Sequence, residues 1–153
     1  VAFIPEGATW YIAEVVMEIT VEDEARNVVH INFLLVRAQS PEEAYEKALR
    51  LGNEHETIYL NRDGKKVQCS FRGLRNLAVV YESLEHGAEL LYEEKVGVDQ
   101  ETLDALIRPK ESLAVFAPIE RSPGPDYASA KIMREAERII EEGNLGVKGG
   151  ENG

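Results

Sequence analysis

The sequence predicts an α+β fold: an antiparallel sheet of two hairpins plus further strands, one main helix across the core face, and a C-terminal helical arm. Three observations predict it. Two neighbouring segments alternate apolar residues with period two, one amphipathic stretch carries both helix start and stop signals, and an Asp-Gly pair joins two further alternating runs.

The first strand is WYIAEVVMEITV (10–21). Tyr11, Ala13, Val15, Met17, Ile19 and Val21 make an all-apolar face, while Trp10, Ile12, Glu14, Val16, Glu18 and Thr20 make a mixed one. After the polar turn EDEARN, the run VVHINFLLVRA (28–38) has Val29, Ile31, Phe33 and Leu35 on one side and Val28, His30, Asn32, Leu34 and Val36 on the other. The expected hairpin turns its odd-numbered residues to the core. Its second face is too apolar for a freely solvated surface, and either the C-terminal helix or a second subunit is expected to cover it. A homodimer is the expected assembly.

SPEEAYEKALRLG (40–52) reads as a helix, with Ser40 as N-cap, Pro41 in the first turn, Glu43 completing a capping box and Gly52 as the stop. Ala44, Ala48 and Leu51 form the stripe that lies on the sheet.

In HETIYLNRDGKKVQCSFRG (55–73), Asp63-Gly64 suggests a two-residue type I′ turn pairing Arg62 with Lys65. That register puts Ile58, Leu60, Val67, Cys69 and Phe71 on the core face, and Thr57, Tyr59, Asn61, Lys66, Gln68, Ser70 and Arg72 on the other, with His55 opposite Arg72. LRNLAVVYE (74–82) and AELLYEEKV (88–96) read as further strands, DQETLDALI (99–107) as a short helix capped by Asp99, and SLAVF (112–116) as an edge strand. Residues 1–116 thus read as one domain, the Pro/Gly-containing 117–126 as a linker, and 127–153 as an amphipathic helix, with Ile132, Met133, Ala136, Ile139 and Ile140 on one side, and a frayed tail.

Composition excludes several classes of function. A net charge of −11 opposes nucleic-acid binding, which needs cations against phosphates. No apolar run approaches the roughly 20 residues of a membrane helix. The first residues lack a signal peptide's basic start and cleavage motif, so a cytoplasmic, bacterial-type protein is expected. A lone cysteine forms no internal disulfide, three scattered histidines give no zinc spacing, and no phosphate loop or nucleophile elbow occurs. No cofactor or metal is expected.

The charge is segregated. From Arg62 to Arg75 there are five cations and one aspartate; from Glu82 to Asp104 there are eight acids and one lysine. Lys66, Arg72, His55, Tyr59 and Gln68 are therefore the first candidates for a binding surface on the basic hairpin, since arginine and tyrosine suit acidic partners. Glu14, Glu18, His30 and Asn32, expected on the mixed face of the first hairpin, are the alternative polar cluster, suited to a ligand, a metal or acid-base work. Cys69 lies between Val67 and Phe71 on the core face and reads as a packing residue. No residue is assigned a catalytic role. The preferred reading is a small acidic protein-binding or regulatory module; the alternative is a small enzyme or ligand-binding protein using Glu14, Glu18 and His30.

WYIAEVV, SPEEAYEKALRLGNEHE, FRGLRNL and HGAELLYEE, in that order over Trp10–Lys95, resemble the uncharacterised bacterial family catalogued as domain of unknown function 4288. The resemblance implies a compact α+β core and carries no catalytic residue with it.

Overall fold

The computed structural model describes residues 3–119 and 123–148, with the side chains of 144–148 left aside. Four strands, β1 (Trp10–Val21), β2 (Val28–Arg37), β3 (Thr57–Leu60) and β4 (Lys66–Val79), form one antiparallel sheet in the order β2-β1-β4-β3. Helix α1 (Pro41–Glu54) lies across one face, packed on β4, β1 and β2. Downstream are α2 (Gln100–Leu106), a single 3₁₀ turn at Lys110–Ser112, and α3 (Ala130–Lys148). The expected α+β class, with a helix across an antiparallel sheet, is what the chain adopts.

The core follows from β1. Its odd-numbered residues from Tyr11 to Val21 are all buried, and they meet Ala44 and Ala48 of α1, Val36 of β2 and Val67 and Val79 of β4. Small residues on α1 let helix and sheet backbones approach closely. Ser40 caps the helix by accepting from the Glu43 amide at 3.1 Å, and the Glu43 carboxylate accepts from the Gln39 amide at 2.8 Å. Gly52 is not the stop. The helix runs on to Glu54, with His55 as its C-cap, and Gly52 is buried where a Cβ would enter the Phe71 ring. Glycine there serves close approach rather than termination.

Two registers differ from expectation. Met17 pairs with His30 and Ile19 with Val28, so the even-numbered residues of β2 face α1, and Val29, Phe33 and Leu35 are exposed on the opposite face. β2 is apolar on both sides, so alternation alone does not choose between them. The turn chooses: Asp23 takes a left-handed φ of 65°, and the Glu24 amide donates to the Val21 carbonyl at 3.1 Å.

The second difference lies at Asp63-Gly64. Among the described residues only Asp23 is a non-glycine with positive φ, so Asp63 does not take the left-handed turn conformation a type I′ loop requires. Asn61 pairs with Lys65 around a three-residue loop, its Oδ1 accepting from the Asp63 and Lys65 amides, each at 2.9 Å. The shift by one residue pairs Tyr59 with Val67 and Leu60 with Lys66. Tyr59 and Asn61 turn inward while Ile58 and Leu60 turn outward. β4 itself keeps its expected faces.

The predicted strand at 74–82 is largely the continuation of β4, which bends through two irregularities. Residues 88–96 and 112–116 form no strand. The helix predicted at 99–107 forms, with Asp99 Oδ1 accepting from the Thr102 amide at 2.7 Å. α3 extends past Gly143 to Lys148, so that part of the expected frayed tail is helical; residues 149–153 lie outside the described set. No described helix is long and apolar enough to cross a membrane.

Candidate functional site

The face of the sheet opposite α1, here the outer face, gathers the features that invite a ligand or partner. Its geometry begins with β4. Glu14 pairs with Asn76 but Val15 with Leu74, and Val16 pairs with Gly73 but Met17 with Phe71. Arg75 and Arg72 are therefore the extra residues of two bulges, a device that re-aims side chains without breaking the sheet. Both point to the outer face. Arg75 Nε donates to Glu14 Oε1 at 2.7 Å, and its guanidinium lies 5.9 Å from the Phe33 ring centroid. Glu14 is 7% exposed, and this pairing satisfies its buried charge. Arg72 Nε is 3.9 Å from Glu18 Oε1, while Glu18 Oε2 accepts from Asn27 Nδ2 at 2.6 Å.

Residues 81–93 run over the Glu14 end of this face. Between them and the sheet is a cleft of about 650 Å³ whose lining includes Glu14, Phe33, Arg75, Tyr81 and Tyr92. On the same face Val29 and Leu35 stand exposed on β2 at one edge of the sheet and Ile58 and Leu60 on β3 at the other, with Lys66, Gln68 and Arg72 of β4 between the two edges.

The sequence-predicted binding residues are divided by this arrangement. Lys66, Gln68 and Arg72 share the outer face. Tyr59 points to the α1 face, where its hydroxyl donates to the Tyr127 carbonyl. His55 caps α1 and donates from Nδ1 to the Leu51 carbonyl at 2.7 Å. The alternative cluster separates too. Glu14 and Glu18 are on the outer face, whereas His30 and Asn32, opposite Met17 and Val15, are on the α1 side. The β2 register causes the split. Among the described residues no three His, Cys, Asp or Glu side chains come together in a way that could hold a metal ion.

Cys69 packs in the core as expected, and burial pushes its thiol above the ordinary range, with nearby Glu56 adding to the shift. That is opposite to what nucleophilic activation needs.

A polar anchor that the sequence did not suggest lies on the α1 side. Asn61 is 3% exposed and donates from Nδ2 to the Asp126 carbonyl at 3.0 Å. The Tyr127 ring meets His30 edge-on at 5.2 Å, and Arg62 Nε is 3.6 Å from Asp126 Oδ2. The end of the expected linker is thus docked on the domain, with Pro125 buried. An Asn just before an Arg-Asp-Gly turn was the available signal for Asn61; nothing local pointed to Tyr127.

Fold and site define a small α+β scaffold with one sheet face covered by its own helix and the other largely open. Residues 10–92 match the family described as Domain of unknown function (DUF4288), and the chain belongs to that family. The match starts at β1 and ends in the segment crossing the outer face, so α2 and α3 lie beyond it. No curated protein and no solved structure matches the chain.

Proposed function

We propose that the chain is a non-enzymatic protein-binding module of the bacterial cytoplasm that works as a homodimer and binds through its outer sheet face. The observation that carries this reading is the composition of that face: Val29, Phe33 and Leu35 are exposed along its β2 edge and Ile58 and Leu60 along its β3 edge. Apolar side chains left open in rows beside charged ones mark interaction sites. Arg37, Lys66, Arg72 and Arg75 outnumber Glu14 and Glu18 there, so the face favours an acidic partner on an otherwise acidic chain.

The test is capture from host lysate with wild type beside a folded Lys66→Glu/Arg72→Glu variant, and light scattering on both. The expected result is a dimer and a protein retained by wild type and lost by the variant. Equal capture by both moves the docking site elsewhere. The cleft beside Glu14 and Arg75 favours a second reading, a small-ligand site without His30. A thermal-shift screen of small organic acids, read against Arg75→Ala, tests it.

A further inference from the structure

The outer face has an open complement in the same chain. After residue 93 the chain leaves the sheet, and α2, with the segments around it, buries none of its side chains. Leu103, Leu106, Ile107, Val115 and Phe116 are exposed along it, Ile107 at 74% and Val115 at 86%. From Glu94 to Ile119 it carries five acids, Glu94, Asp99, Glu101, Asp104 and Glu111, against Lys95, Arg108 and Lys110, with the acids concentrated up to Asp104. An apolar arm rich in acids matches a face whose apolar edges flank the cations of β4, and beyond the end crossed by residues 81–93 neither is covered within one chain.

We propose that residues 94–119 of one copy cover the outer sheet face of a second copy, reciprocally, so that the dimer is held by exchanged arms. This rests on the reading of the outer face as a docking surface and names its occupant. Size supports it. The open part, four strands about 4.8 Å apart and roughly five residues long, β3 having only four, presents a face of about 320 Å². Covering it in both copies, counting sheet and arm, buries on the order of 1,300 Å², at the lower end of stable interfaces. α3 is the weaker occupant. Its charges are nearly balanced between Lys131, Arg134 and Arg138 and Glu135, Glu137, Glu141 and Glu142, and its leading segment is fixed to the α1 side through Asp126 and Tyr127.

The test uses two variants of the full chain at exposed positions: Leu106→Glu/Ile107→Glu in the arm and Ile58→Glu/Leu60→Glu on the face. Circular dichroism and a thermal melt establish that each is folded. Light scattering should find wild type at the mass of two 17.1 kDa chains and each variant weakened in self-association by about 100-fold. Mixing the two variants should restore a heterodimer, because one intact arm then meets one intact face. A second measurement needs no substitution: amide exchange of wild type should slow at 100–107 as concentration rises through the dimer transition. Wild type remaining a monomer at high concentration overturns both the proposal and the homodimer reading. A dimer lost in the face variant but kept in the arm variant overturns the exchanged arm alone, leaving the face as a docking surface. A mixture that stays monomeric also overturns the exchange.

Discussion

The two faces of the sheet are built from the same strands and similar side chains, yet they have opposite fates. On the α1 face, Tyr11, Ala13, Val15 and Met17 are closed over by Ala44, Ala48 and Gly52. On the outer face, Phe33, Leu35, Ile58 and Leu60 stand open, and the deeply buried carboxylate of Glu14 is held by Arg75. The difference teaches that hydrophobicity alone does not mark a core. A residue joins the core when an element of the same chain is positioned to cover it.

The sharpest contrast should come from truncation. Met17→Ala removes a fully buried side chain and should cost about 2–5 kcal/mol in chemical denaturation. Phe33→Ala, 57% exposed, should leave the stability of the single chain within about 0.5 kcal/mol. Comparable losses would erase the distinction between the faces.

Gly52→Ala probes the closeness of the covered face. The added Cβ meets the Phe71 ring, and overpacking of about 1–3 kcal/mol should outweigh the roughly 1 kcal/mol gained in helix propensity. A stabilised variant would show that Phe71 swings aside freely.

Tyr59→Phe removes the hydroxyl that donates to the Tyr127 carbonyl and should cost about 0.5–1.5 kcal/mol, with faster proteolysis around residue 127. Burial raises the Tyr59 phenol above its ordinary value, with smaller contributions from Cys69, Tyr127 and Asp126. The folded state therefore favours the protonated form. Its contribution is complete below the unfolded pKa of about 10 and is lost as pH rises through the higher folded value. Alkaline absorbance titration should show a tyrosine ionising late, and the Phe variant should lack it.

The smallest effect is expected at the rim. The Lys65 ammonium sits 2.6 Å from Asp23 Oδ2 in an exposed pair, which raises the lysine pKa through that hydrogen bond. Lys65→Ala should shift the thermal midpoint little, and salt should diminish even that. A large shift would make the β1–β2 turn part of the folding core.

Much of the fold was legible because local signals agreed with tertiary demand. β1 has one wholly apolar face, so its orientation followed from alternation; Ser40, Glu43 and Asp99 announced their helix starts through capping chemistry. Where a segment was apolar on both sides, as in β2, the signal was degenerate and the turn at Asp23 set the register. Where two loop geometries suited the same Asp-Gly pair, one residue of difference reversed β3. The candidate site suffered most, since a site requires side chains from several strands on one face. His30 was lost to Glu14 and Tyr59 to Lys66 by those two registers, whereas Lys66, Gln68 and Arg72 stayed together because they alternate along one strand.

By itself, then, the sequence determined the α+β class, the first core face, α1 and α2, the inward Cys69 and the segregation of charge, all of which depend on residues close along the chain. The tertiary structure alone decided which side of β2 is open, that Arg72 and Arg75 occupy bulges, that Arg75 meets Glu14, and that Tyr127 returns to His30 and Tyr59. Those outcomes depend on register and long-range pairing, where a shift of one residue exchanges the two faces of a strand at little local cost.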